Sequence, residues 1–212
     1  MLHRFFLAAT LLLVLAAVPA NAALVTFTAQ SAGNYASIVG SPSFDATRAL
    51  VANQENFVAS SYIVFDISSL ADPAIALELA TNTGPDVGRT SNVTIEFNAF
   101  SGNLNDLTSG ALSLSDLESP RDYGSFFSLA TQPDNEAFTV ELNAAAIDDF
   151  NASSGLFVIT VTQPTATPTS GLLGDLTAND FTLSALTAIP EPSSCVALAG
   201  LTAVILPRRR RR

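Results

Sequence analysis

The feature that most constrains this chain is a period of two. Ile63, Phe65 and Ile67 share one face of Tyr62 to Ile67, and Ile75, Leu77 and Leu79 share one face of Ala74 to Ala80. Val93, Ile95 and Phe97 alternate with Thr94, Glu96 and Asn98, and Phe138, Val140 and Leu142 alternate with Thr139 and Glu141. Leu24 to Thr28, Gly155 to Val161 and Phe181 to Leu186 read as further strands. One apolar face per strand is what an antiparallel sheet with one solvated side requires. The breaks are turn chemistry: Ser41-Pro42-Ser43, Ala71-Asp72-Pro73, Thr83-Gly84-Pro85-Asp86, Ser119-Pro120 and Gln132-Pro133-Asp134-Asn135. One helix is expected, with Asn143 capping Ala144 to Phe150 and Ile147 and Phe150 facing a sheet edge. Short strands at near-regular spacing predict an all-β, antiparallel β-sandwich of jelly-roll type.

That fold must stand without staples. The single Cys, Cys195, lies near the carboxyl end, so residues 23–188 form no disulfide and carry no thiolate chemistry. The core falls to apolar burial, in which twelve Phe residues take a large part. Phe65, Phe97, Phe138 and Phe157 are expected to be buried together. A body of this length can bury one core.

Composition removes most catalytic chemistry. The chain has no Lys, and its one His, His3, lies in the amino-terminal segment. Residues 23–188 therefore offer no Ser-His-Asp or Cys-His triad, no Schiff-base lysine and no His-ligated zinc. Paired carboxylates remain as a route to glycoside hydrolysis, with Asp116 and Glu118, or Asp148 and Asp149, as the adjacent candidates. With no Trp in the chain, such a site lacks the usual sugar-stacking surface, and no enzymatic activity is expected. Loop clusters of oxygen ligands, Asn103-Leu104-Asn105-Asp106 and Asp134-Asn135-Glu136, are the places calcium would use, but turn formation accounts for the same residues. Residues 23–188 hold three arginines (Arg48, Arg89 and Arg121) against eighteen acidic residues, a net charge of −15. A surface so acidic repels nucleic-acid phosphates, so no nucleic-acid partner is expected.

The two ends read as sorting signals. Arg4 precedes Phe5 to Val18, an apolar run broken by Thr10, and Pro19-Ala20-Asn21-Ala22 follows. Charge, apolar run and small-residue site, in that order, predict a secretory signal peptide over 1–22, cleaved between Ala22 and Ala23, with Ala20 marking the alternative position. Fourteen helical residues span about 21 Å, short of a bilayer core of about 30 Å. At the other end Pro190-Glu191-Pro192 precedes the apolar run Cys195 to Leu206, and Arg208, Arg209, Arg210, Arg211 and Arg212 close the chain. The run would make a marginal membrane-spanning helix, and the arginines would hold its end in the cytoplasm.

This three-part tail resembles the bacterial PEP-CTERM sorting signal. The resemblance implies an exosortase as processing partner, transient anchoring in the inner membrane, and final placement on the cell surface or in an extracellular matrix, often beside exopolysaccharide and biofilm. It gives Cys195 no catalytic role, because the nucleophile belongs to the exosortase. Within the body, Tyr62-Ile63-Val64-Phe65-Asp66-Ile67-Ser68-Ser69-Leu70 resembles the FDLSSL-type strand and turn of exported bacterial β-sandwich domains, with Tyr123-Gly124 and Glu141 to Ala146 as later landmarks. Asp66 reads as a turn-forming residue at a strand end. The expected organisation is signal peptide 1–22, sandwich 23–188 and sorting signal 189–212. The expected role is structural, in the envelope or its polysaccharide matrix, without a cofactor. A carbohydrate- or calcium-binding surface module and a carboxylate-based glycoside hydrolase are the alternatives.

Overall fold

A computed structural model describes residues 22–85, 91–166 and 171–188. The residues of the expected signal peptide up to Asn21, including Ala20, lie outside the described residues, as do Pro190, Glu191, Pro192, the Cys195 to Leu206 run and Arg208 to Arg212. Among the described residues no helix is long and apolar enough to cross a membrane.

Residues Leu24–Thr187 make one compact unit, built of β1 (Ala23–Ile38), β2 (Ser41–Asp45), β3 (Ala49–Gln54), β4 (Phe57–Asp66), β5 (Ala74–Asn82), β6 (Val93–Ala99), α1 (Leu104–Ser109), β7 (Asp122–Ser128), β8 (Ala137–Leu142), α2 (Ala144–Ala152), β9 (Leu156–Thr162), β10 (Gly171–Leu176) and β11 (Thr182–Thr187). Short 3-10 turns occupy Leu114–Leu117 and Ala178–Asp180. The strands run in the order β7-β6-β9-β4-β1-β11-β5-β8, with β2 on β1 and β3 joining β4 to β10. The paired registers are antiparallel. The antiparallel β-sandwich expected from the alternation is the observed architecture, folded almost into a closed barrel.

The long first strand turns the corner between the layers. Its ladder with β4 slips by one residue between Ala29 and Ser31, so Gln30 is extra. A bulge bends a strand and raises its twist. On one side of it Ala29 donates its N–H to the Phe181 carbonyl next to β11; on the other, Ser31 to Ile38 pair with β4. The opposite edges, β7 and β8, meet where the Asn143 N–H donates to the Tyr123 carbonyl (2.8 Å) and the Asn143 side-chain amide to the Asp122 carbonyl (2.8 Å). Gly124 permits this approach. It sits at φ +147°, and a Cβ there would stand 3.3 Å from the Glu141 carbonyl oxygen. Further along the seam the rings of Phe126 and Phe138 stack at 3.8 Å.

The core fills the space between the layers. Phe65, Phe97, Phe138 and Phe157 lie in one buried cluster, as the alternation predicts, together with Phe27, Phe150 and Phe181. The expected helix is present as α2, and the Asn143 carboxamide accepts from Ala145 N–H and Ala146 N–H. It packs deeper than an edge helix would. Phe150 is fully buried and meets Phe27 and Phe157 edge-on, at 6.1 and 5.2 Å between ring centres. Ile147 stays half-buried at the rim.

Two details depart from the sequence expectation. Ile75 does not join Leu77 and Leu79 inside; it is 53 % exposed. In the β5–β11 ladder Ala76 faces Leu186 and Ala74 faces Thr187, so Ile75 is a bulged residue and the alternation skips there. The second departure is β4, which has no solvated face. Tyr62 and Val64 point away from the main core but lie in a second buried cluster with Tyr35, Leu107 and Leu117, under Phe44, Phe100, Leu104, Leu112 and Leu114. The chain between β6 and β7 crosses back over the sheet and adds a thin outer layer. Asn103 belongs to that layer as a helix cap: its side chain accepts from Asn105 N–H at 2.8 Å.

Candidate functional site

The carboxylates singled out from the sequence separate into different duties. Asp116 closes a capping box, its Oδ2 accepting from the Ser113 N–H and hydroxyl, both at 2.7 Å. Those bonds, the backbone one first, hold its carboxyl below the usual carboxylate range. Glu118 is exposed just past that turn, and Asp148 is exposed on α2. Asp66 is the strand-end turn residue expected of it, accepting from Ser68 N–H at 2.9 Å. Asn135 takes φ +57° in its turn, and its N–H donates to the Gly84 carbonyl. Among the described residues there is no group of three or more His, Cys, Asp or Glu able to hold a metal ion. Ala22 is exposed outside any strand, and Ala23 opens β1.

Asp149 is different. It lies on the inner side of a cleft of about 630 Å³ between the end of β6, the start of β9 and the C-terminal turn of α2. Arg121, just before β7, meets it bidentately: Nε donates to Oδ2 at 2.5 Å and Nη2 to Oδ1 at 2.8 Å. Nη2 also donates to the Ala145 carbonyl at 3.3 Å, and the buried Tyr123 hydroxyl donates to Asp149 Oδ2 at 2.9 Å. Partial burial works to raise the Asp149 carboxyl, but the bonds from Arg121 and Tyr123 and the Arg121 charge outweigh it and hold the group below the usual carboxylate range. Burial first, and then the bond to Asp149, push the Tyr123 phenol up. The result is a planar fork and a carboxylate fixed against each other at the cleft wall. Phe100, Leu104 and Leu156 supply apolar surface beside them, Leu156 being 40 % exposed.

A second arginine pair marks another cleft, of about 660 Å³, between the β1–β2 hairpin and β10. There Arg48 Nη1 meets Asp175 Oδ1 at 2.6 Å, with 57 % and 54 % of the two side chains exposed. This pair has one contact and no third partner like Tyr123. On the outer face of β5 and β8, Glu78 and Glu141 stand directly opposite each other, a like-charge pair beside Leu24, Ile147 and Leu186. Neither grouping is visible in the sequence. Arg121 and Asp149 are 28 residues apart, and Glu78 and Glu141 belong to strands whose register only the folded sheet fixes. A weak signal for the first was the scarcity of arginine in so acidic a chain: among the described residues Arg48 and Arg121 each find a carboxylate.

No protein-family model matches this chain, and no curated protein matches it. Among solved structures it is similar to the native structure of a family 35 carbohydrate binding module from Clostridium thermocellum, with 14 % sequence identity and a TM-score of 0.31 over 76 % of this chain and 97 % of that one. A superposition that loose carries no inference about what this chain binds.

Proposed function

We propose that this is an exported, non-catalytic protein of the cell surface or extracellular matrix, delivered as a sandwich with a removable leader and a tail cut by an exosortase. The observation that carries the reading is the three-part tail, Pro190-Glu191-Pro192, Cys195 to Leu206 and Arg208 to Arg212, paired with a leader at the other end. The extent of the body supports it: β1 opens at Ala23 and β11 ends at Thr187, so removal of either signal leaves the strands whole. Twelve helical residues reach about 18 Å, which suits a temporary anchor better than a permanent span. Five guanidinium groups are costly to draw through hydrocarbon and act as a stop. Proline disfavours helix at and before its own position, so the sequence Pro190-Glu191-Pro192 suits an extended stretch between body and anchor, the form a transpeptidase needs. The acidic surface suits a soluble matrix component beside exopolysaccharide.

The test is the mass of the envelope-associated protein in a host with its exosortase and in an exosortase deletion. The expected result is a shorter chain in the first strain and a membrane-bound precursor in the second. Replacing Pro190, Glu191 and Pro192 by Ala is expected to trap the same precursor without blocking export. Equal masses in both strains, each ending at Arg212, would overturn the assignment.

A further inference from the structure

The cleft beside Arg121 has a donor and acceptor pattern that the packing of α2 does not use up. A guanidinium carries five N–H donors. In Arg121 the Nε hydrogen goes to Asp149 Oδ2, and the two Nη2 hydrogens go to Asp149 Oδ1 and the Ala145 carbonyl. Nη1 and its two hydrogens have no partner among the described residues, on a side chain 47 % exposed at the cleft wall. Asp149 Oδ2 accepts from both Arg121 and Tyr123, whereas Oδ1 accepts from Arg121 alone and keeps room for one more donor. The wall therefore presents two donors and one acceptor, already oriented, so a ligand that met them would cost them little further ordering.

The apolar side of the cleft is built on a close approach of the Phe100 ring to the loop after β6. Gly102 lies against the Phe100 ring, and a Cβ there would stand 2.6 Å from the ring's Cζ. Gly102 has no positive φ to account for it. A glycine at this point lets the Phe100 ring lie against the loop backbone, and the exposed Leu156 lines the same cleft. A volume of several hundred Å³, apolar surface and a few fixed polar groups are the usual make-up of a small-ligand site.

The geometry points to a binding site for a neutral, polyhydroxylated ligand, a sugar ring of an uncharged polysaccharide, with a hydroxyl pair bridging Arg121 Nη1 and Asp149 Oδ1 and the ring's C–H face on Phe100 and Leu156. A hydroxyl both accepts and donates, and so matches a donor beside an acceptor; a carboxylate or phosphate would set its charge against Asp149. The charge of Arg121 is already met by Asp149, and the body is acidic overall, so the cleft holds no surplus positive charge for an anion. This goes beyond the matrix role, which requires no ligand.

The test is titration calorimetry of the full chain with hexasaccharides of glucan, mannan, galactan and xylan, and with hexagalacturonate as the charged counterpart. At least one neutral hexasaccharide is expected to bind, at least tenfold more tightly than hexagalacturonate. Gly102→Leu drives a side chain into the Phe100 ring and displaces that apolar wall from an exposed loop, away from the polar groups, and is expected to weaken binding at least tenfold. Arg121→Met removes the donors and is expected to do the same. Absence of binding to every neutral probe, preference for hexagalacturonate, or native affinity in Gly102→Leu would each overturn the site. Processing, read separately from the mass of each variant in the envelope, is expected to be unchanged, so loss of binding and loss of sorting are told apart.

Discussion

The two faces of β4 are buried by different means. Inward, Ile63 and Phe65 meet side chains from both layers of the sandwich, and neither is exposed at all. Outward, Tyr62 and Val64 meet Phe44 of β2 and one excursion of the chain, the stretch between β6 and β7 that holds α1 and a 3-10 turn. That outer layer hangs on few fixings. Leu107 and Leu117 are buried, and the Tyr35 hydroxyl donates toward the Leu107 carbonyl at 2.6 Å and the Asp106 carbonyl at 3.0 Å. Burial raises the phenol of Tyr35 and carries that of Tyr62 to about 12, so both stay neutral at physiological pH. A side chain can thus be equally hidden in either place while the free energy holding its cover differs, because the inner cover is the whole fold and the outer one is a loop and one short strand.

The largest effect is expected at Phe65. Phe65→Ala should cost about 3–5 kcal/mol in denaturant unfolding, and every probe of structure should move together. A change below about 1 kcal/mol would mean that the inner face is not the main core. Leu107→Ala should cost less, about 2 kcal/mol, because a thin layer settles into part of the space left behind. Amide exchange should then speed up in α1 while β4 keeps its protection; equal acceleration in both would show that the two covers are one cooperative unit.

The smallest effect concerns the two arginine pairs, which repeat the contrast on the surface. Asp175→Asn should leave stability unchanged, as expected of an exposed single contact. Asp149→Asn should destabilise modestly at neutral pH. The sign follows from the depressed carboxyl of Asp149: its contribution is full above the unfolded pKa of about 4 and is lost as pH falls through the lower folded value. The difference between native and Asp149→Asn chains should therefore be constant near pH 7 and vanish in acid. A difference that persists to low pH would show that the ion pair is not its source.

How far the sequence could be read follows the same division. Alternating strands announced themselves: Val93, Ile95 and Phe97, and Phe138, Val140 and Leu142, all turn inward as their period requires. Asn143 announced the start of α2 by its capping chemistry. The reading stopped where structure comes from partners rather than from period. Residues Gln30 to Ile38 are small and polar and carry little alternation; they are strand because β4 and β2 flank them. Ile75 turned outward because one extra residue broke the period. The outer layer was hidden because six residues of helix are too few to show a periodicity, although the leucines at 104, 107, 112, 114 and 117 carried a cue. Of the candidate site, Asp149 was visible as one of a carboxylate pair. Its actual partner, Arg121, became apparent only through the closing of β7 against α2.

The position of β11 has a mechanical consequence. It is the last strand of the body, yet it lies between β1 and β5 rather than at an edge. Any pull carried by the residues after Thr187 enters a strand gripped on both sides. Edge strands such as β8 can peel from one ladder at a time; β11 leaves only when two ladders yield together. A load-bearing tether sewn into the interior of a sheet resists drag and shear better than one stitched to its hem.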